Sequence, residues 1–427
     1  MSMNSTPNGE RFRIGIFGCV NSGKSSLINA LTGQDIAMVS DVRGTTTDPV
    51  SKAMEMLPIG PVLITDTPGL DDESELAERR IERTMEVLSI TDLAILVVDA
   101  NRGLCKRDEE IISLFKKEKC PYLTVFNKTD LTKEDSPNRE SLKSLKAGTG
   151  SFDQRLGADD AALENTKETL YVSALLGDGI DELKRAIASF DLQEDPAYPI
   201  VADFVSENDT VVLVVPIDDA APKGRLILPQ QQTIRELIEA GAFAVTVRDT
   251  HLEDLMQQFE KTQITPSLVV TDSQAFAKVA QIVPSDMRLT SFSILMARHK
   301  GILKASMEGI KAIKGLKDGD RVMISEGCTH RRMCGDIGTV KIPRALKKIN
   351  GSTLEYVFSS GGSFGSIDDL KKVSCVIHCG GCMLSEKEMK RRYKLCERAG
   401  VPITNYGLVL AAAGGILDRS IDFIPYE

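Results

Sequence analysis

The stretch Gly18-Cys-Val-Asn-Ser-Gly23-Lys24-Ser25 matches the pattern G-x-x-x-x-G-K-S between two recognisable elements. Residues 12–17 before it predict a buried strand, and the apolar spacing of Leu27, Ile28 and Leu31 after it predicts a helix. Backbone N–H groups of such a loop, together with the N-terminus of the helix, surround phosphate oxygens. The sequence therefore predicts a nucleotide-binding P-loop domain of the α/β class.

The loop itself supplies the predicted phosphate and metal contacts. Lys24 would reach the β- and γ-phosphates, and Ser25 would be a ligand of Mg²⁺. Four neighbouring residues complete the predicted nucleotide contacts of the loop: Asn21, Ser22, Gly23 and Ser26.

Two further segments predict the metal and γ-phosphate contacts that distinguish the two nucleotide states. The strand at residues 62–65 runs into Asp66-Thr-Pro-Gly69, where Asp66 would hold Mg²⁺ through water and the Gly69 amide would sense the γ-phosphate. Residues 44–48 contain a threonine for the same metal, and Thr46 is the prediction, with Thr45 as the alternative.

Two later segments predict recognition of guanine. A strand ends in Asn127-Lys128-Thr-Asp130, where the Asp130 carboxylate can accept two hydrogen bonds from the guanine edge but would repel the acceptor of adenine. Ser173 and Ala174 follow another short strand and suit a loop that covers the base. The predicted ligands are GTP and GDP.

These motifs, in this order, resemble the Era/TrmE-like branch of the translation-factor-related small GTPases over about residues 10–190. The resemblance implies that Asn21 coordinates a K⁺ beside the phosphates, although a loop asparagine also tolerates unusual backbone angles. Leu70 stands where many GTPases have a water-positioning glutamine, so intrinsic hydrolysis of GTP to GDP and phosphate should be slow and potassium-stimulated. Lys24, Thr46, Gly69 and Asn21 are the predicted catalytic residues.

A second set of functional residues lies in the last hundred positions, which hold six of the nine cysteines. Cys328-Thr-His330 is separated by 47 residues from His378-Cys379-Gly-Gly-Cys382. Thiolates at this spacing select zinc, copper(I) or an iron–sulfur cluster, and spacing alone favours a structural zinc site and a cluster about equally. Both groups follow predicted parallel strands, 321–325 and 373–377, at whose carboxyl ends open α/β sheets hold ligands.

Turn-forming segments and changes in the spacing of apolar residues divide the chain into domains. We expect the GTPase domain at residues 1–190, a linker at 191–199, a smaller α/β domain at 200–285 and an α/β metal-binding domain at 286–427. Ser291–Met296 is predicted as the first strand of the last domain. The basic residues Lys387, Lys390, Arg391, Arg392 and Lys394 could neutralise an anionic cluster, but a solvated helix face is the favoured interpretation.

Composition limits the partners and the compartment. The net charge of −9 and the absence of tryptophan disfavour nucleic acid as a ligand. The N-terminus carries no apolar signal segment, and residues 407–417 are too short to span a membrane. An odd number of cysteines beside a nucleotide motif indicates a reducing cytoplasm.

Over nearly its full length the chain resembles the maturation GTPases of [FeFe]-hydrogenases, the HydF family. The resemblance implies that Cys328, Cys379 and Cys382 hold a [4Fe–4S] cluster, with His330 or His378 as the fourth ligand or behind the ligands. Cys334 and Asp336 also follow Cys328 closely, and the sequence does not rank them against the histidines. It also implies a scaffold that carries the transient di-iron precursor of the hydrogenase active site. The implied partners are two radical-SAM maturases, the apo-[FeFe]-hydrogenase and a second copy of the chain, because the domain at 200–285 corresponds to the dimerisation domain.

A second function of a different class remains open from the motifs. An Era/TrmE-like GTPase that associates with RNA or the ribosome, and carries a structural zinc module, would contain the same residues in 18–175. The identity of the metal separates the two functions. A metalloenzyme with its own turnover at the cysteines is a third possibility, but the sequence offers no acid–base partner beyond the two histidines.

Overall fold

The computed structural model describes residues 11–33, 51–57, 59–67, 84–131, 166–190, 198–217, 226–327, 336–361, 364–382 and 384–426, with the backbone alone at 166–168. The chain divides into two compact units, Met1–Gln193 and Glu194–Glu427. Both units combine helices with mainly parallel sheets, so the predicted α/β class is confirmed.

In the described part of Met1–Gln193, six strands form one sheet in the order β2-β3-β1-β4-β5-β6. Only β2 is antiparallel to its neighbour. The strands are β1 Phe12–Phe17, β2 Ser51–Met56, β3 Gly60–Asp66, β4 Leu93–Asp99, β5 Tyr122–Asn127 and β6 Thr166–Tyr171. The helices are α1 Lys24–Thr32, α2 Lys106–Lys117 and α3 Ile180–Ala188.

The near-continuous apolar sequence of β4 explains its central position. Parallel strands that are covered on both faces lack an exposed side, so polar residues do not alternate with apolar ones. Ile95 and Val97 belong to one core and Leu96 and Val98 to another, because successive side chains point to opposite faces. The sheet thus separates two apolar layers and leaves its strand ends for polar residues.

The described part of Glu194–Glu427 contains two four-stranded sheets, and every neighbouring pair of strands is parallel. The first sheet, in the order β10-β9-β7-β8, consists of β7 Thr210–Val214, β8 Phe243–Val247, β9 Leu268–Thr271 and β10 Leu289–Ser291. The second, in the order β12-β11-β13-β14, consists of β11 Arg321–Glu326, β12 Glu355–Ser360, β13 Cys375–His378 and β14 Ile403–Asn405.

The helices of this unit lie between its strands in the sequence, and the last helices follow the final strand. They are α4 Leu228–Glu239, α5 Leu252–Thr262, α6 Phe276–Ile282, α7 Phe292–His299, α8 Leu303–Ile313, α9 Ile342–Asn350, α10 Ile367–Leu370, α11 Glu386–Ala399, α12 Tyr406–Gly414 and α13 Leu417–Ile421. In the described ranges, no helix combines the length and the apolar character needed to cross a bilayer.

One apolar core joins the two sheets. Val211 and Leu268 of the first sheet and Ile324 and Ile377 of the second belong to the same cluster of buried side chains. The predicted division at residue 285 falls inside this unit and stays a prediction about its internal organisation. Of the predicted linker at 191–199, residues 191–197 lie outside the described ranges.

The predicted strand at Ser291–Met296 is wrong. Strand β10 ends at Ser291, and the apolar residues after it form helix α7. The Ser291 hydroxyl accepts a hydrogen bond from the backbone N–H of Ile294 at 3.4 Å, which satisfies one of the amides left unpaired at a helix start. A short apolar run suits a buried helix as well as a strand, and here the serine cap decides between them.

Helix α8 contacts strand β14 through a glycine. A Cβ atom on Gly309 would lie 2.2 Å from the carbonyl oxygen of Ile403, a backbone atom that moves only with its strand. The glycine therefore allows a close approach between the helix and the sheet that contains the metal-binding motif.

We predict that Gly309→Ala destabilises the protein although alanine is the better helix former. The substitution gains up to about 1 kcal/mol in helix propensity, but overpacking a buried contact costs about 1–3 kcal/mol. Denaturant unfolding of the full chain measures the difference. Gly414→Ala is the matched control, because its Cβ would meet only the side chain of Ile416, at 3.3 Å. If both variants are equally stable, α8 can move away from β14 without a loss of folding stability.

Candidate nucleotide site and candidate metal centre

The loop between β1 and α1 has the backbone geometry of a phosphate-binding loop. Gly18 and Gly23 have φ values of 143° and 92°, and Asn21 has a φ of 61°. A Cβ on Gly18 would lie 2.3 Å from the Val97 carbonyl oxygen, and one on Gly23 would lie 2.3 Å from Nδ2 of Asn127. Both glycines are therefore required by backbone angle and by space.

The side chain of Lys24 lies along this loop. Its Nζ donates to the carbonyl oxygens of Gly18 at 3.0 Å and Cys19 at 2.9 Å, and the residue is 8% exposed. Two carbonyl dipoles thus hold the ammonium on the loop whose amides would surround the phosphates. The predicted role of Lys24 is to contact the phosphates, and that role requires a positive charge at this position.

The two described residues predicted to bind Mg²⁺ are brought together. The hydroxyl of Ser25 donates to Oδ2 of Asp66 at 2.9 Å, because β3 pairs with β1 and ends beside the loop. Burial raises the pKa of Asp66, and the hydrogen bond from Ser25 and the charge of Lys24 oppose that rise. Thr46 and Gly69, predicted for the same region, lie outside the described residues.

The amide of Asn127 connects the phosphate loop to the predicted base-covering loop. Its Nδ2 donates to the carbonyl oxygen of Ser22 at 3.2 Å, and its Oδ1 accepts from the backbone N–H of Ala174 at 3.0 Å. The residue is 1% exposed. A side chain at the end of β5 therefore holds two loops that are about 150 residues apart in sequence.

The other two residues of this motif have polar partners as well. Asp130 accepts a hydrogen bond at Oδ1 from the Ser173 hydroxyl, at 2.6 Å. Lys128 donates to the carbonyl oxygen of Asn21 at 2.5 Å and to Oδ2 of Asp99 at 2.7 Å. The predicted residues of the nucleotide site that the structure describes are thus linked into one set.

Asp99 is a member of this set that sequence reasoning missed. Burial acts to raise its pKa, but the hydrogen bond from Lys128 and the backbone N–H of Asn101 lower the pKa overall. The only signal in the sequence is its position at the end of a buried strand, directly beside β5 in the sheet.

The candidate metal centre lies where two neighbouring parallel strands end. Ser325 of β11 pairs with His378 of β13, so the segments that follow both strands leave from the same edge of the sheet. Cys328 and His330 follow β11, but they lie outside the described residues. Cys379 and Cys382 follow β13 and are described.

The sulfur of Cys379 accepts two backbone hydrogen bonds. The N–H groups of Gly327 and Gly381 lie 3.1 Å and 3.4 Å from Sγ. Burial raises the pKa of the Cys379 thiol, and these two amides act in the opposite direction because they favour the thiolate. A Cβ on Gly380 would meet no atom of the described residues within 4 Å, so none of them fills the space beside the turn. These observations fit a thiolate that binds a metal or a cluster.

Lys300 is a second residue that the sequence did not indicate. Its Nζ donates to the carbonyl oxygens of Gly381 at 2.8 Å and Leu384 at 3.2 Å, although the residue is only 6% exposed. Burial lowers its pKa, whereas Cys382 and Cys379 act to raise it. It follows α7 and is about 80 residues from the cysteines in sequence, so no motif connects them.

Both ring nitrogens of His378 are occupied. Its Nε2 lies 2.9 Å from Nη1 of Arg392, and a guanidinium only donates, so Nε2 accepts and the proton is on Nδ1. Nδ1 lies 2.7 Å from the carbonyl oxygen of Cys379. Burial, reinforced by the charge of Arg392, lowers the pKa of His378 to about 3, so the ring is neutral. In this geometry His378 supports the cysteine turn and has no nitrogen left for a metal.

The interpretation of Arg392 as part of a solvated helix face is wrong. The residue is fully buried, donates to Oε1 of Glu388 at 2.7 Å and to the Gly361 carbonyl oxygen at 2.9 Å, and lies 5.0 Å from the Phe364 ring centroid. Three polar partners and an aromatic face offset the cost of burying its charge.

Family models match three segments of the chain. The "Hydrogen maturase F dimerization domain" matches residues 200–301, and the "Hydrogen maturase F tetramerization domain" matches residues 304–423. Together these two models match more than half of the chain. A model described as "50S ribosome-binding GTPase" matches residues 13–128, which is the P-loop domain.

Curated relatives match less than half of the chain. "GTPase Der" of Kosmotoga olearia is 34% identical over 179 residues, or 41% of this chain and 37% of that protein. "tRNA modification GTPase MnmE" of Nitrosomonas europaea is 34% identical over 180 residues, or 42% of this chain and 34% of that protein. The chain thus spans about a third of the length of these relatives. A crystal structure of an Era variant from Aquifex aeolicus bound to GDP and AlF4⁻ is 20% identical, with a TM-score of 0.32 and coverage of 55% and 92%.

We predict that Asp130→Asn weakens GTP binding at least about tenfold and shifts the preference toward xanthosine triphosphate. A hydrogen bond to a charged group contributes about 1.5–3 kcal/mol, and an amide offers xanthine the donor that it requires. Competition between the two nucleotides, measured with a fluorescent analogue, tests this. Asp178→Asn, an exposed aspartate in the loop that begins at Ser173, is the control and should bind GTP normally. An unchanged preference for guanine in Asp130→Asn would remove Asp130 from base recognition.

Proposed function

The chain belongs to the hydrogen maturase F family, and we propose that it is a GTP-hydrolysing scaffold that assembles and delivers the di-iron precursor of the [FeFe]-hydrogenase active site. The observation that carries this proposal is the Cys379 sulfur, which accepts two backbone N–H groups at the end of a parallel strand. The nucleotide motifs of the first unit support the GTPase part of the proposal.

Cys328, Cys379 and Cys382 would hold a [4Fe–4S] cluster. When bound, such a cluster supplies an iron whose fourth position can exchange ligands, which suits a carrier better than four thiolates would. The amides on Cys379 and the buried Lys300 offset the negative charge of the thiolates. Because the nitrogens of His378 are occupied, we assign it to support of the turn and His330 to the exchangeable position.

The GTPase domain would regulate the scaffold. Lys24, Ser25 and Asp66 would bind the phosphates and Mg²⁺, and Thr46 and Gly69 would report the γ-phosphate. Asn21 would coordinate a K⁺ that neutralises charge as GTP is cleaved, the work that an arginine performs in other GTPases. Its left-handed backbone is consistent with this role and equally with an ordinary loop asparagine.

We further propose that the chain associates with itself, as the names of the two matched domains suggest for the family. Its other partners would be two radical-SAM maturases, which supply the precursor, and the apo-[FeFe]-hydrogenase, which receives it. Such exchange of metal–sulfur material requires the reducing conditions of the cytoplasm.

Association with RNA is the alternative that the names of the curated relatives raise. Those names belong to proteins that match about two fifths of this chain and that this chain covers to about a third of their length. In the alternative, the cysteines would bind one zinc without sulfide, and RNA binding would weaken steeply with salt. Metal analysis therefore distinguishes the two functions.

We predict that purified, anaerobically reconstituted protein contains about four iron and four sulfide ions per chain and that Cys379→Ser loses most of both. Iron and sulfide assays, with electron paramagnetic resonance of the reduced protein, measure the result. Cys105→Ser is the control, because that cysteine lies in the other unit and should leave the cluster intact. One zinc without sulfide, or full iron content in Cys379→Ser, would contradict the assignment.

We predict that GTP hydrolysis is faster in K⁺ than in Na⁺ and that Asn21→Gly removes this difference. Glycine accepts the φ of 61° without strain, so the variant deletes the amide and keeps the loop conformation. Steady-state phosphate release in matched KCl and NaCl buffers is the measurement, with GTP affinity as the check on the loop. If Asn21→Gly keeps the potassium stimulation, the asparagine is present only for its backbone angle.

A further inference from the structure

Three potential metal ligands meet in the GTPase domain, and none of the three is assigned to GTP or Mg²⁺. Cys19, Cys105 and Asp108 each place one ligand atom within 4.8 Å of the other two. The two Sγ atoms are 3.8 Å apart, and the Cys19 thiol donates to Oδ1 of Asp108 at 3.3 Å. This cluster is separate from the cysteines of the second unit.

Regular structure holds the three ligands in place. Cys19 follows the first glycine of the phosphate loop and is 1% exposed, while Asp108 lies in the first turn of α2 and is fully buried. Cys105 directly precedes α2 and is partly exposed. The backbone N–H of Cys105 donates to Oδ2 of Asp108 at 3.1 Å, so helix capping explains that oxygen. Capping of α2 does not explain why a second cysteine, Cys19, contacts Oδ1, the other oxygen of Asp108.

Two of the three distances are close to those of a tetrahedral site. Zinc binds thiolates at about 2.3 Å and carboxylate oxygens at about 2.0–2.2 Å, which places two tetrahedral sulfurs about 3.8 Å apart and a sulfur and an oxygen about 3.6 Å apart. The observed separations are 3.8 Å between the two sulfurs and 3.3 Å between Cys19 and Asp108, and the ligand atoms of Cys105 and Asp108 lie within 4.8 Å. One cation could thus contact all three ligands after shifts of at most about an ångström.

The charges also balance. Two thiolates and a carboxylate carry three negative charges, a divalent cation supplies two positive charges, and Arg102 supplies the third. Arg102 donates to Oδ2 of Asp108 at 2.7 Å. Burial acts to lower the pKa of Arg102, but Asp108 and the two neighbouring cysteines raise it overall, so the guanidinium stays charged. Neutrality matters here because an uncompensated charge in a buried site is costly.

We propose that Cys19, Cys105 and Asp108 form a binding site for a zinc-class divalent cation, with water as the fourth ligand on the exposed side of Cys105. Binding releases the two thiol protons, including the one that Cys19 now donates to Asp108, and the cation takes their place. Thiolates favour zinc over magnesium, and the carboxylate favours zinc over copper(I).

The position of Cys19 connects this site to the nucleotide. Its carbonyl oxygen accepts a hydrogen bond from Nζ of Lys24 at 2.9 Å, and its side chain would be a metal ligand. A bound cation would therefore fix the loop residue that holds Lys24. Zinc is expected to change GTP affinity even though it does not contact the nucleotide, because the two ligands share one loop.

The experiment uses full-length, reduced, metal-free protein in which Cys328, Cys379 and Cys382 are all replaced by serine. Co²⁺ is the probe, because tetrahedral thiolate coordination produces an intense near-ultraviolet charge-transfer band, and Zn²⁺ then displaces it. We expect about one equivalent per chain, with affinity that falls as the pH is lowered, since protons compete for the thiolates.

Variants identify the ligands. Substitution of a residue that only supports the ligands lowers metal affinity by roughly 10–100-fold, so Cys105→Ser should weaken Co²⁺ binding by more than that. Because Cys105 is partly exposed, the fold should tolerate the change. Asp108→Asn keeps the shape and removes the charge, and it should also weaken binding. Cys120→Ser, a buried cysteine of the same domain whose thiol contacts backbone carbonyl oxygens, is the matched control and should bind normally. GTP binding by each variant confirms that the domain is folded.

Several results would overturn the proposal. These are a thiolate band that survives in Cys105→Ser, the absence of such a band in the parent protein, and a Cys19–Cys105 disulfide that forms under the reducing conditions of the assay. The outcome is independent of the hydrogenase proposal, because the cluster cysteines are already absent and Cys105→Ser is expected to keep its iron in the otherwise unmodified chain.

Discussion

Backbone hydrogen bonds between neighbouring parallel strands bring together residues that are far apart in the sequence. In the first unit, β1, β3 and β5 each end in a polar segment, and the pairing of β1 with β3 places Asp66 next to Ser25. In the second unit, the pairing of β11 with β13 places Gly327 against the sulfur of Cys379. Because parallel strands share a direction, their carboxyl ends meet at one edge. Both candidate sites depend on that constraint.

Three basic side chains of the molecule are compensated by neighbouring acidic or polar groups. Arg392 is fully buried beside His378, but Glu388 offsets its charge, so it contributes orientation more than net charge. Lys300, by contrast, donates to carbonyl oxygens under the cysteine turn. Cys382 and Cys379 act to raise its pKa more strongly than the nearby Glu386 does, so its charge mainly offsets that of the thiolates. In the GTPase domain, Arg102 has the corresponding position beside Asp108 and the two cysteines there.

The parts that the sequence predicted well are those in which one short segment determines its own geometry. The P-loop glycines, the strand that ends in Asn127 and the Cys-x-x-Cys turn were predictable because backbone angle and ligand spacing are local properties. The prediction of a strand at 291–296 was wrong because a largely apolar segment of six residues is too short to show whether its apolar spacing is that of a strand or of a helix. Lys300 was missed for a different reason, since the cysteine turn that it contacts is about 80 residues away in sequence. Arg102 is only six residues from Asp108, but the sequence does not show that Cys19 lies beside both.

The single core of the second unit has a thermodynamic consequence. Val211 and Leu268 of one sheet and Ile324 and Ile377 of the other are buried in the same cluster, so separating the sheets would expose both sets of side chains together. Regions joined in this way open as one cooperative unit. Ligand binding energy at the cysteine turn would then raise the opening free energy of the whole unit, and amide protons in β7 and β9 would exchange more slowly although no ligand touches them. Hydrogen exchange in residues 210–271 would thus report the occupancy of a distant centre.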